Sequence, residues 1–117
     1  MASVLQEKSK AFALQIIKVC NEIKQSKRES VLTNQLIRSG TSVGANIREA
    51  MYAHGKADFI AKLQIALKEA NETGYWLELL FKTNYISEEE YKSLDSACTS
   101  IRVMLISSIN TAKENDK

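Results

Sequence analysis

Two stripes run side by side between Gln35 and Ala50, and they constrain the fold more than any other feature of the chain. Leu36, Gly40, Val43, Ile47 and Ala50 step by 4, 3, 4 and 3, the spacing of one apolar face of an α-helix. Gln35, Ser39, Ser42, Asn46 and Glu49 take the same steps, one residue over. A solvent-facing stripe is ordinarily rich in Lys and Glu. This one is mostly small and hydrogen-bonding, as expected where a second helix packs against it. Gly40 and Gly44 fall inside the same helix, where each costs about 1 kcal/mol relative to alanine. Close approach of another helix is the usual compensation. A phosphate-binding loop is disfavoured, because no strand precedes these glycines.

The remaining sequence reads as three more helices. The first is predicted over about residues 3–25, with Leu5, Ser9, Phe12, Ile16, Val19 and Ile23 inward. Ser26 and Glu29 have the Ser-x-x-Glu spacing of a capping box and are expected to start the second helix, which runs to about His54. Gly55 stands where a C′ glycine would end it, and Asp58 where a cap would start the third. The third helix is predicted over 58–83. Phe59, Leu63, Ala66, Ala70, Thr73, Leu77 and Leu80 form its seam, and Ile60, Leu67, Gly74 and Phe81 a second stripe. It is therefore expected to be the most buried of the four. Ser87 and Glu90 form a second capping box, with Glu88 and Glu89 suited to the helix dipole. The fourth helix is expected to reach about Ala112, with Leu94, Ala97, Ile101, Met104 and Ser108 inward. The polar tail 113–117 is expected to fray. With short links, no proline and only four glycines, the prediction is all-α: one antiparallel up-down-up-down four-helix bundle spanning residues 1–117.

Charge is unevenly divided. Residues 1–56 carry nine Lys/Arg and four Asp/Glu, whereas 57–117 carry seven and ten. The basic half is a candidate surface for an anionic partner, or the two halves complement each other within a bundle or across an oligomer. Lys24, Lys27 and Arg28 cluster at the first turn, either as a nucleic-acid contact or as a solvated turn, without interleaved aromatics. Cys20 and Cys98 lie among apolar neighbours and read as buried free thiols in a reducing compartment. No apolar run approaches the roughly 20 residues of a membrane span, and no signal peptide is apparent, so a cytoplasmic location is expected.

Chemistry-bearing groups are few. His54 is the single histidine, with Met51 three residues before it, so the Glu-x-x-His pairs of a di-iron site are not formed. Zinc-ligand spacing is also missing, and no cofactor, metal or small-molecule substrate is implied. Arg48 and His54 are similar in spacing to the Arg-x(4–6)-His signature of HEPN-type RNases, which are helical bundles. The plainer reading of His54 is a helix-terminal histidine favoured by the dipole. Glu69 and Glu72 lie at i, i+3 on the third helix. They are expected to face Arg38, Arg48 and Asn46 in a polar network within the bundle or between subunits, since a carboxylate near a core needs a partner, the alternatives being a binding or catalytic role or plain solvent exposure.

Two blocks carry a family resemblance. Gln35-x-x-Arg38-Ser39-x-x-Ser42-Val43-x-Ala45-Asn46-Ile47-x-Glu49-Ala50 resembles the hallmark of the 23S rRNA intervening-sequence proteins, also labelled S23 ribosomal protein. Asp58-Phe59-Ile60-x-Lys62-Leu63-x-Ile65-Ala66-x-Lys68-Glu69-Ala70-x-Glu72-Thr73-x-Tyr75-Trp76-Leu77 is similar to its second block. The resemblance implies an up-down four-helix bundle assembling as a ring-like homopentamer; the residues themselves present no reaction motif, and no catalytic residue is assigned. The family is similar in fold to the accessory protein of diversity-generating retroelements, a strongly basic pentamer that binds nucleic acid and a reverse transcriptase. RNA, or a protein bound to RNA, is the partner class that this likeness implies. The S23 label reflects a reading frame's position in rRNA-gene insertions rather than a ribosomal role.

Overall fold

The computed structural model describes residues 2–115, with side chains from residue 4 onward. The described residues form four helices and no strand: α1 (Ala2–Lys27), α2 (Val31–Met51), α3 (Lys56–Lys82) and α4 (Glu88–Glu114). Of the tail 113–117, expected to fray, Lys113 and Glu114 continue α4 past the expected end at Ala112, and residues 116–117 lie outside the described residues. The helices pack as a bundle of 51 × 21 × 19 Å in which each touches its two neighbours around a ring: α1 on α2, α2 on α3, α3 on α4, and α4 back on α1. The α2–α3 contact is the most extensive and α1–α4 the least.

Helix ends show where local chemistry decides. At α4 the capping box forms as predicted, with Glu90 N–H donating to Ser87 Oγ and Ser87 N–H to Glu90 Oε1, both at 3.1 Å. At α2 it does not. Ser26 stays in the last turn of α1, donating its hydroxyl to the Glu22 carbonyl at 2.7 Å. Arg28, with φ at 55°, then breaks the helix. Glu29 caps α2 alone, its carboxylate accepting from the N–H groups of Leu32 at 2.8 Å and Thr33 at 2.9 Å. Burial alone would raise the Glu29 pKa, but these backbone donors outweigh it and hold the group below its ordinary value of 4.5. Gly55 is likewise not the C′ residue of α2. That helix ends at Met51, and Gly55, with φ at 155°, is the N-cap of α3. Asp58 sits within the first turn of α3, where it accepts from the His54 N–H at 3.4 Å.

The core is a column of apolar side chains. Leu5, Phe12, Ile16 and Cys20 of α1 meet Leu36, Val43 and Ile47 of α2, Leu63, Ala66, Leu77 and Leu80 of α3, and Leu94, Ile101 and Leu105 of α4, all buried. Burying one large side chain of this kind is worth about 1.5–3 kcal/mol. Positions along neighbouring helices pair in opposite order. Gly44 lies against Ser9 and Gly40 against Ile16, while Cys20 Sγ reaches the Thr33 carbonyl at 3.6 Å. Across α3 and α4, Phe81 stacks on Tyr91 at 4.6 Å and Cys98 Sγ reaches the Ala70 carbonyl at 3.3 Å.

Two burial expectations need correction. In α4 the buried residues are Leu94, Cys98, Ile101, Leu105 and Ile109, so Ala97, Met104 and Ser108 are only half-buried. An α-helix turns once in 3.6 residues rather than 3.5, and the inward face drifts by one position along its length. Nor is α3 the most buried helix. Its second stripe, Ile60, Leu67, Gly74 and Phe81, is only half-buried, whereas the shorter α2 buries Thr33, Leu36, Ser39, Gly40, Val43, Ile47 and Ala50.

Candidate interaction face on the second and third helices

The polar stripe of α2 does not lie in one environment. It runs from the surface at Gln35 into the core at Ser39 and back out to the surface at Glu49. Ser39 is fully buried, as is Thr73 opposite it on α3. Their hydroxyls are hydrogen-bonded at 3.0 Å, and Thr73 also donates to the Glu69 carbonyl at 2.7 Å. The pair is thus satisfied inside the core, as buried hydroxyls require. Ser42 and Asn46 are half-buried and bond back along their own helix, Ser42 Oγ to the Arg38 carbonyl at 2.6 Å and Asn46 Nδ2 to the Ser42 carbonyl at 2.9 Å. Gln35 and Glu49 are exposed.

Arg38 bridges the two helices at the surface. Its guanidinium donates to Glu69 Oε2 at 2.9 Å and forms a second ion pair with Glu72. Glu72 also accepts from the Trp76 indole N–H at 3.1 Å. One cation therefore faces two carboxylates, and the cluster keeps a net negative charge. A fork-shaped guanidinium suits this double contact better than an ammonium would. The sequence places Thr73 in the inward seam of α3 and Trp76 in the second family block, without assigning either to a polar network. The i, i+4 step from Glu72 to Trp76 was the available signal.

Arg48 does not join this cluster. Ten residues beyond Arg38 it is rotated by about 80° around α2, toward α1. There it lines a groove with Gln6, Lys10, Ala13 and Tyr52. His54 is exposed in the loop between α2 and α3, and no hydrogen bond or ion pair joins it to Arg48 among the described residues. The basic cluster at the first turn is partly engaged within the chain. Lys24 Nζ donates to Asn34 Oδ1 at 2.5 Å. Lys27 Nζ donates to the carbonyls of Asn84 at 3.1 Å and Tyr85 at 3.3 Å, and it stands 5.9 Å over the Tyr85 ring. Lys27 thus ties the α1–α2 turn to the α3–α4 turn, while Arg28 is exposed.

Burial pushes the thiol of Cys20 up to about 12 and that of Cys98 to about 11, which keeps both protonated. Among the described residues no group of three or more His, Cys, Asp and Glu is placed to hold a metal ion. No helix among them is long and apolar enough to cross a membrane.

Four mutually packed helices with a cross-helix polar cluster define an all-α bundle protein. The chain belongs to the family described as 23S rRNA-intervening sequence protein, whose profile matches residues 3–107. It is similar to the crystal structure of a protein of unknown function from the S23 ribosomal protein family of Bacteroides thetaiotaomicron VPI-5482. The two are 51% identical over 90% of this chain and 97% of the other, with a TM-score of 0.89. No curated protein matches the chain.

Proposed function

We propose that the protein is a non-enzymatic helical scaffold or adaptor of the cytoplasm that works as a homo-oligomer. In this reading the bundle runs up-down-up-down, which the opposed pairing of positions along α1 with α2 and along α3 with α4 supports. Copies assemble as a ring, a pentamer on the strength of the family resemblance. The observation that carries the proposal is the placement of apolar side chains in solvent. Leu14 and Ile17 stand exposed at the middle of α1, at 61% and 38%, and Val103 and Ile106 on α4, at 60% and 47%. Each pair has i, i+3 spacing and so forms a patch rather than scattered points. Ile65 and Tyr75 are also exposed, on α3 near the Arg38 cluster. Assembly would cover these groups. RNA, or a protein bound to RNA, is the partner class taken up from the family likeness. Lys24 and Lys27, already bonded within the chain, lend the first turn little support as its contact.

Light scattering on the purified protein tests the reading. A pentamer of the 13.1 kDa chain has a mass of about 66 kDa, and the absorbance ratio reports co-purifying nucleic acid. A monomer at working concentration overturns the assembly.

A further inference from the structure

Three of the four seams of the bundle carry a specific link. Between α1 and α2, Lys24 bonds Asn34 and Ile16 seats against Gly40. Between α2 and α3, Ser39 bonds Thr73 and Arg38 pairs with Glu69 and Glu72. Between α3 and α4, Arg102 bonds Asn71 and Phe81 stacks on Tyr91. The fourth seam, α1 on α4, is the least extensive, and no hydrogen bond or ion pair crosses it among the described residues.

The rows that face each other explain why this seam is poorly filled. On α1 it is lined by Lys8 and Gln15, both exposed, and on α4 by Ser93, Ala97 and Ser100, all small. Voids of about 180 and 380 Å³ lie between them. Lys18 and Glu89 line the larger void from opposite sides without forming an ion pair. A third void of about 260 Å³ opens at the end of the seam, where Leu5 of α1 approaches Ser108 and Thr111 of α4. Side chains that border a void have no partner atoms on that side and lose those contacts.

The two ends of α1 are held differently. At the C-terminal end Lys27 donates to the carbonyls of Asn84 and Tyr85 in the α3–α4 turn, close to the Lys24–Asn34 bond. Between Leu5 and Val19 no hydrogen bond or ion pair joins α1 to another helix among the described residues. We propose that α1 is a strap that lifts from α4 while α2, α3 and α4 stay packed. It pivots at the end latched by Lys27 and opens the seam from the Leu5 end. Phe12 and Ile101, buried on either side of the smallest void, are the side chains that lifting uncovers. The motion belongs to the single protomer and is separate from the oligomeric reading.

Thiol labelling tests it. Ile101→Cys puts a thiol in the seam of a protein that already carries two references. Cys98 lies against the Ala70 carbonyl of α3, and Cys20 against the Thr33 carbonyl of α2 near the latched end. With each site followed by peptide mass in the native protein, the introduced thiol is expected to react roughly tenfold faster than either reference, or more, and with a weaker dependence on urea. A general loss of stability speeds all three together and leaves their ratio unchanged. Equal rates with equal urea dependence mean that the seam opens only on global unfolding, which overturns the proposal. Amide hydrogen exchange gives a second reading in the wild type, because a helix released from its packing frays. Amides of residues 9–16 in α1 are expected to exchange roughly tenfold faster than those of residues 70–77 in α3, or more, and equal protection of the two segments also overturns it.

Discussion

Replacing Gly40 by alanine should destabilise the bundle although alanine is the better helix former. The gain in helix propensity is about 1 kcal/mol. Against it stands Ile16, whose Cγ2, Cγ1 and Cβ would lie 3.0, 3.2 and 3.5 Å from the new methyl group. Ile16 is fully buried, and a β-branched residue in a helix has essentially one χ1 rotamer. The crowded atoms are next to its backbone, so relief requires α1 and α2 to move apart by a few tenths of an ångström. Overpacking of this kind costs about 1–3 kcal/mol. The net expectation is a loss of up to about 2 kcal/mol. Gly44 supplies the control, since a methyl group there meets Ser9 Oγ at 3.4 Å, an ordinary contact. Gly44→Ala should be neutral or stabilising by up to about 1 kcal/mol. Propensity cancels between the two variants, so their difference isolates the packing cost. Urea unfolding followed by circular dichroism measures it, with an unchanged m-value as the sign that only native stability moved. A cycle adding Ile16→Ala should show coupling of about 0.5–3 kcal/mol. Equal stability for Gly40→Ala and Gly44→Ala would refute the close approach of α1 to α2.

Three further outcomes follow from particular contacts. Glu29→Ala should cost about 1 kcal/mol at neutral pH through the lost cap. Because the folded pKa of Glu29 is depressed, its contribution is present above the ordinary value of 4.5 and is lost as pH falls through the folded value. Urea midpoints of wild type and variant should therefore converge in acid, and a constant gap would refute the cap. Thr73→Val keeps the shape but removes the buried hydroxyl pair with Ser39, and a loss of about 1 kcal/mol is expected in the same assay. Cys20 and Cys98 should resist a thiol reagent at about pH 8 in the native protein and both react in denaturant, and fast labelling of either without denaturant contradicts their burial.

Helix positions were legible in the sequence because they depend on residues a few places apart. The Ser87–Glu90 box, closed by a two-way bond, is such a case. The same spacing at Ser26 and Glu29 misled, because Ser26 was satisfied by the preceding turn and left the carboxylate to cap alone. The candidate face was legible in part. Periodicity put Ser39 and Arg38 on adjacent rows of α2. It did not show that the shorter residue would turn inward to Thr73 while the longer one reached across the surface to Glu69 and Glu72. That division depends on the angle at which α3 crosses α2, which no local spacing encodes. Arg48 was grouped with Arg38 by charge, and only its rotation around the helix separates them. Gly74 was read as part of an apolar stripe.

The uneven charge of the two halves acquires a geometric sense from the ring order of the helices. With α1 next to α2 and α3 next to α4, the basic half of the chain forms one side of the bundle and the acidic half the other. A two-fold contact through either side places like charges together, whereas a head-to-tail contact places unlike charges together. In the proposed homo-oligomer the asymmetry would therefore disfavour an isologous contact and suit a head-to-tail one. Salt separates the two contributions. Exposed ion pairs are screened over about 10 Å at 0.1 M, while apolar contact is not weakened by salt. If the basic side of one copy meets the acidic side of the next, raising salt should lower the oligomer's association constant, and the Lys10→Gln, Lys18→Gln double variant should flatten that dependence. The Leu14→Ser variant should weaken association equally at all salt concentrations. Sedimentation equilibrium across a salt series measures both slopes. An association that strengthens steadily with salt, and is indifferent to the lysines, would leave the charge asymmetry with no part in assembly.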